Sequence, residues 1–175
     1  MSADALQRAQ RVRLMLFDVD GVLTDGTLYL GESGEAMKGF NVRDGHGLKM
    51  LQDCGIEVGL VSTRNSAIVR LRCQELGIGL VSQGASSKAS VVRELLAQRR
   101  LVPEDAGFMG DDLLDLAAMS LCGFCATVPE ASDALRERAH YVAKAAGGRG
   151  AAREVCELIL AAKGRLDDIV RRHLS

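Results

Sequence analysis

Six short apolar runs alternate with helix-like segments along this chain, and that rhythm restricts the possible folds more than any other feature. The runs are Arg13–Phe17, Glu57–Val61, Leu80–Val81, Gly107–Met109, Gly123–Val128 and His140–Val142. Each is bounded by Gly, Ser, Asp or Pro and reads as a strand between turns. Between them the pattern predicts helices over Gly45–Asp53, Ala67–Leu76, Ser87–Gln98, Leu113–Leu121, Ala131–Arg138 and Ala151–Lys163. Gly55 and Gly77 stop the first two, as glycine does just past a helix end. Strands separated by helices need crossover connections. The expected fold is therefore α/β, a doubly wound parallel sheet with helices on both faces. One segment departs from the rhythm. Thr27–Leu30 and Glu35–Phe40 flank Gly31-Glu32-Ser33-Gly34, which predicts a β-hairpin flap over about residues 27–40. The 175 residues contain no internal repeat or linker, so residues 1–175 read as one domain with a tail over about 164–175.

Composition removes several function classes. Apolar residues are 47% of the chain, enough for a sizeable core. Four Phe, two Tyr and no Trp leave little for a surface that stacks bases. Lys and Arg total 22 against 23 Asp and Glu, for a net charge of −1. That balance gives no electrostatic reason to expect nucleic acid or an anionic membrane as partner. The apolar run Leu14–Phe17 is too short for a membrane span or a signal core, which makes a cytoplasmic protein the expectation. The five cysteines read as buried thiols. Cys122 and Cys125 have redox-motif spacing, but they leave a helix and enter a strand, the reverse of the redox order. His46, His140 and His173 lack zinc-ligand spacing.

The chemistry lies in carboxylates. The first strand runs straight into Asp18-Val19-Asp20-Gly21. Ligands of open parallel sheets bind beyond the carboxyl ends of the strands, where both acids would sit. Two turn or capping aspartates would look the same. A second cluster weighs against that reading. Gly107–Met109 leads into Gly110-Asp111-Asp112-Leu113-Leu114-Asp115. Several ionised carboxylates on one sheet edge repel one another unless a hard divalent cation sits among them, and all-oxygen ligands suit Mg²⁺. Ser62 follows another strand, and Lys88 opens the helix after the next. A hydroxyl, an ammonium and helix N-terminal amides together can cradle a phosphate.

The order Asp-x-Asp, Ser, Lys, Gly-Asp-Asp resembles the four motifs of the haloacid-dehalogenase superfamily of phosphohydrolases, over nearly the whole chain. Asn41–Gly45, Arg72-Cys73, Gly84 and Gly147–Glu154 resemble its sugar-acid phosphatases in particular. The resemblance implies a Rossmann-like sheet and a Mg²⁺-dependent phosphomonoesterase. It implies 3-deoxy-D-manno-octulosonate 8-phosphate as substrate, in lipopolysaccharide precursor synthesis, with a nine-carbon sialic-acid-type 9-phosphate as the alternative. By the same resemblance Asp18 is the nucleophile and Asp20 the general acid and base. Asp18, Asp111 and the Asp20 carbonyl hold the metal, and Ser62 and Lys88 hold the phosphoryl group. Asp112 and Asp115 support them. Substrate contacts fall on Asp20, Asn41, Val42, Arg43, Asp44, Gly45, Lys49, Arg64, Arg72 and Lys88. Thr63 stands where those relatives have glycine.

Two other classes share parts of this pattern. A receiver-type phosphoacceptor has the acidic pocket and a lysine, but no aspartate two residues after the nucleophile. A catalytically idle partner domain could lose a motif, yet Asp18, Asp20, Lys88 and Asp111 are all present. Neither interval between the early motifs is long enough for a cap domain. Asp18 to Ser62 is 44 residues and Ser62 to Lys88 is 26, and both are consumed by predicted elements. The resemblance implies that neighbouring subunits of a homotetramer close each site instead.

Overall fold

In a computed structural model, which describes residues 2–174, the elements follow the order α1 (Ala3–Arg11), β1 (Leu14–Phe17), β2 (Tyr29–Gly31), β3 (Gly34–Met37), α2 (Val42–Asp53), β4 (Glu57–Val61), α3 (Ala67–Leu76), β5 (Leu80–Ser82), α4 (Lys88–Arg99), β6 (Ala106–Gly110), α5 (Leu116–Met119), β7 (Phe124–Thr127), α6 (Asp133–Arg136), β8 (Tyr141–Val142), α7 (Ala151–Ala162) and α8 (Leu166–Arg172). Six strands form one sheet in the order β5-β4-β1-β6-β7-β8, every pair parallel. Met1 and Ser175, the last residue of the expected tail, lie outside the described residues.

β1 is central and all four of its residues are buried, as a parallel strand covered on both faces requires. Phe17, Phe108 and Phe124 are fully buried among aliphatic neighbours and form the middle of the core. The chain moves outward from β1 to β4 and β5, then returns to lay β6 on the other side of β1. Right-handed crossovers therefore place α2 and α3 over one face and α4 over the other. Reversal of direction between β1 and β6 opens a crevice at their carboxyl ends, the switch point of a doubly wound sheet.

Among the described residues the hairpin strands β2 and β3 pair only with each other; they carry exposed Tyr29, Leu30 and Met37, and Leu28 just before β2 is exposed as well. No cap domain interrupts the sheet. Two segments differ from the sequence reading. α1, unmarked by any strong apolar run, is a surface helix that buries only Ala5 and Ala9. The helix expected over Leu113–Leu121 breaks into a 3-10 turn, Leu113–Asp115, and the single turn of α5, because Asp115 is drawn inward. Through Leu174 the tail is helical and packed: α8 lies on α7, and the His173 ring meets His46 edge-on, centroids 5.9 Å apart.

Arg100, which caps α4, is the one non-glycine residue with positive φ (52°) among the described residues. A left-handed side-chain-bearing residue is strained, and glycine relieves that at some cost in unfolded-state entropy. Arg100→Gly should therefore raise stability by about 0.5 kcal/mol, ~1–2 °C in a thermal melt. A lower melting temperature would contradict this account.

Candidate active site

Every predicted catalytic position lies at the carboxyl end of the sheet. The Asp18 N–H donates to the Met109 carbonyl at 2.9 Å, which extends the β1–β6 pairing by one residue and fixes Asp18 over the crevice. The next turn is wound around the Val19 carbonyl, which accepts from the Leu23 and Thr24 amides at 2.9 and 3.1 Å. Gly21 has φ +90°, and a Cβ there would lie 1.9 Å from Asp111 Oδ2. Glycine is needed at that point for the loops after β1 and β6 to close on each other.

Asp18, Asp111 and Asp115 bring carboxylate oxygens within 4.8 Å of one another. Their roles separate by hydrogen bonding. Asp115 is fully buried, and both its oxygens are engaged. Oδ1 accepts from Lys88 Nζ at 2.6 Å, and Oδ2 accepts from the Asp111 and Asp112 amides at 3.1 and 3.2 Å. Asp18 Oδ1 pairs with Lys88 Nζ at 2.8 Å. Asp111 Oδ1 is buried without a hydrogen-bond partner. Burial first, then the Asp115 charge, pushes the Asp18 carboxyl up to about 6 against the pull of Lys88. Burial first, then Asp18 and Asp115, pushes Asp111 up to about 7. One ammonium thus faces three carboxylates. An all-oxygen cluster with an orphaned buried oxygen suits a hard divalent cation such as Mg²⁺, with Asp18 and Asp111 as the ligands left open. Asp112 is exposed and caps the 3-10 turn, donating nothing to the cluster beyond its amide.

Lys88 opens α4 with its ammonium buried, held by the two acids it neutralises. Ser62 follows β4, buried, and its Oγ accepts from the Arg64 amide at 3.1 Å. Thr63 is exposed at ordinary negative φ, so the β-branched side chain is accommodated without backbone strain. The loops after β4 and β5 interlock: Gln83 Oε1 accepts from the Ser66 amide at 2.7 Å, while its Nε2 donates to the Ser66 carbonyl at 3.1 Å.

The expected substrate residues divide. Asn41 caps α2 by accepting from the Arg43 amide. Val42, Arg43 and Lys49 are exposed. Arg72 lies across Gly45, where a Cβ would meet its guanidinium at 2.2 Å, and over the Phe40 ring at 5.8 Å. It also pairs with Glu75 at 2.7 Å. The Asp44 carboxylate is buried and accepts from the Gly150 and Arg153 amides at 3.1 and 2.8 Å, which ties the first turn of α2 to the start of α7. Arg64 Nε approaches Asp20 Oδ2 to 3.7 Å.

Sequence reasoning missed Lys38, Glu35 and Ser66. Lys38 pairs with Asp20 and, at 3.0 Å, with Glu35, whose other oxygen accepts from Ser66 Oγ. A charge in a turn-rich flap looks solvated in one dimension, and nothing in its spacing marks it. A recess of about 430 Å³ at the opposite ends of β4 and β5 is lined by the paired Arg99 and Glu57 and by no buried acid, so it is not the site.

A doubly wound sheet with an Asp-x-Asp turn after its first strand, a buried lysine and an acidic cluster defines a haloacid dehalogenase-like hydrolase. The sequence profile of that family matches residues 74–154. The chain is 44% identical over 168 residues to 3-deoxy-D-manno-octulosonate 8-phosphate phosphatase KdsC of Escherichia coli K12, covering 96% of this chain and 89% of that one. A crystal structure of the corresponding phosphatase of Yersinia pestis superposes with a TM-score of 0.93 at 42% identity, covering 95% of this chain and 90% of that one. That of Moraxella catarrhalis, solved with magnesium, phosphate and KDO, gives 0.96 at 35% identity, covering 99% of both. The chain belongs to the 3-deoxy-D-manno-octulosonate 8-phosphate phosphatase family.

Proposed function

We propose that this chain hydrolyses 3-deoxy-D-manno-octulosonate 8-phosphate to the free sugar acid and phosphate, in the cytoplasm, as a step toward lipopolysaccharide. The observation that carries the chemistry is Asp18, a buried carboxylate 2.8 Å from Lys88 and beside the unpartnered Asp111 oxygen. The names of the relatives support the substrate.

An Asp18 oxygen attacks phosphorus, and the phosphorus–sugar oxygen bond breaks as the aspartyl-phosphate forms. Asp20 gives its proton to the departing sugar oxygen. It then takes one from the water that attacks the phosphoryl group and restores Asp18. Lys88 and the Ser62 hydroxyl hold the phosphoryl oxygens. Mg²⁺, held by Asp18, Asp111 and the Asp20 carbonyl, supplies charge neutralisation for the meeting of a carboxylate with a phosphate dianion. Asp115 keeps Lys88 and the Asp111 amide in place, and Asp112 caps the turn that carries Asp115. Arg43, Lys49, Arg64 and Arg72 surround the sugar acid, whose carboxylate suits a guanidinium. Asn41, Val42, Asp44 and Gly45 form the N-terminal turn of α2 that bounds it, with Asp44 anchoring that turn from behind. Phosphate release from the eight-carbon 8-phosphate and from a nine-carbon 9-phosphate tests this directly. Faster turnover of the nine-carbon ester would overturn the substrate assignment.

Residues 1–175 act as one capless domain, so another subunit must close the site. The exposed hairpin side chains Leu28, Tyr29, Leu30 and Met37, and the recess of about 310 Å³ between Phe40, Val42, Ile68 and Leu71, are apolar surface suited to cover by a second copy. A homotetramer with shared sites follows, and light scattering should give four subunits. A fully active monomer at assay concentration contradicts it. The tail reaches the N-terminal turn of α2 indirectly: the His173 ring, just after α8, meets His46, whose Nδ1 lies 3.1 Å from Arg153, and the Arg153 amide holds Asp44. Removal of the chain after Lys163 should change KM or product release several-fold, readable in steady-state and product-inhibition assays. Unchanged kinetics would leave the tail without a role in the site.

A further inference from the structure

Lys38 is a charged group at the site to which no role has yet been given, and its surroundings are unlike those of a surface lysine. Its side chain is 2% exposed although the hairpin that carries it is exposed almost throughout. The ammonium lies between Asp20 Oδ1 and Glu35 Oε1. Glu35 belongs to β3, and its second oxygen accepts from Ser66 Oγ. Ser66 is buried and caps α3, accepting from the Val69 amide at 3.2 Å. A polar chain thus runs from the N-terminus of α3 through Glu35 and Lys38 to Asp20.

The hairpin strands have no partner in the main sheet, and their large apolar side chains point to solvent. This chain of charges, together with Phe40 packed on the core, ties the flap to the body of the protein within one subunit. A buried ammonium between two acids resists displacement, since removing either partner leaves a charge uncompensated. The bond also selects between the Asp20 oxygens. Lys38 takes Oδ1, whereas among the described residues Oδ2 has only Arg64, at 3.7 Å, and stays available for proton transfer. A carboxylate that must deliver a proton to one oxygen and later take one from water at the same place gains from a fixed orientation.

We infer that Lys38 is a positioning residue for Asp20: anchored through Glu35 and Ser66, it fixes the orientation of the general acid and base and couples it to the seating of the hairpin. This rests on the role given to Asp20 under the proposed function.

The test is a double-mutant cycle with Lys38→Met and Asp20→Asn, made in the full chain with Mg²⁺ and followed on the sugar-acid phosphate at steady state and in single turnover. Lys38→Met should lower kcat by about 10- to 100-fold, part of the usual general acid–base contribution, with KM within about threefold of wild type. In the Asp20→Asn background it should cost no more than about twofold further, because the two residues act as a unit. An unchanged kcat with a raised KM would make Lys38 a substrate contact and overturn the inference. An undiminished loss in the Asp20→Asn background would also overturn it. Wild-type turnover by Asp20→Asn alone would instead defeat the catalytic reading, and the inference with it. Glu35→Gln and Ser66→Ala keep the ammonium but loosen its anchor, and each should lower kcat several-fold at unchanged subunit number by light scattering. Wild-type kcat in both variants would show that the chain positions nothing.

Discussion

Asp18→Asn should abolish turnover, lowering kcat on the order of 10⁴-fold or more, while the protein stays folded. An amide cannot form the bond to phosphorus, yet it fills nearly the same space. The substitution also removes one of three negative charges gathered around a single ammonium. The Asp18 carboxyl is pushed up to about 6, chiefly by burial and then by Asp115, so its ionised form is disfavoured in the metal-free fold. A neutral side chain there should leave the metal-free melting temperature equal or higher. That separates the lost chemistry from lost structure. The measurement pairs phosphate release with thermal unfolding, on protein checked by mass spectrometry for deamidation back to aspartate. Activity at the wild-type level would remove Asp18 as nucleophile, and with it the aspartyl-phosphate route.

The β1 turn shows why so much of this site was legible in the sequence. A strand of four apolar residues can end in only one place relative to a parallel sheet, so the acids after it are placed by the alternation itself. The same holds for Asp111 after β6 and Ser62 after β4. Sequence spacing gave the address of each group but not its hydrogen bonds. Asp115 and Asp112 look alike as helix-opening acids, yet one is fully buried against Lys88 and the other faces solvent. The difference comes from the 3-10 turn, which swings Asp115 under the Asp111 amide. Asp44 was expected as a substrate contact, yet its buried carboxylate accepts from the Gly150 and Arg153 amides. That both its oxygens serve the first turn of α7 depends on a contact between residues more than 100 positions apart. Lys38 was invisible for a similar reason: its partner Asp20 lies on the turn after β1, and its other partner, Glu35, is held by Ser66 from the loop before α3. The tail gave no strong periodic signal, and α8 is held by packing on α7 more than by its own helix propensity.

Chelation should remove activity, and Mg²⁺ should restore both activity and stability, with the stability gain growing as pH rises. The sign follows from the acids. Asp18 and Asp111 titrate near 6 and 7 in the metal-free fold, above the ordinary carboxylate value of 3.8 in both cases. A folded-state carboxyl that holds its proton more tightly than the unfolded chain stabilises the fold while protonated. That advantage is lost as pH rises through 6 to 7, so the metal-free protein should melt lower at pH 8 than at pH 5 as far as these groups are concerned. Bound Mg²⁺ takes the place of those protons, and it binds only the ionised oxygens. The melting-temperature increase on adding the ion should therefore be small near pH 5, where protons compete, and large near pH 8. At a free ion concentration 100 times its dissociation constant the gain is about 2.7 kcal/mol, ~5–10 °C for a chain of this size. Asp111→Asn should abolish that increase as well as activity, since it turns into a neutral amide the carboxylate whose Oδ1 is the one buried side-chain oxygen without a hydrogen-bond partner among the described residues. Full turnover after exhaustive chelation, or an ion effect independent of pH, would show that the carboxylate cluster is not where the cation acts.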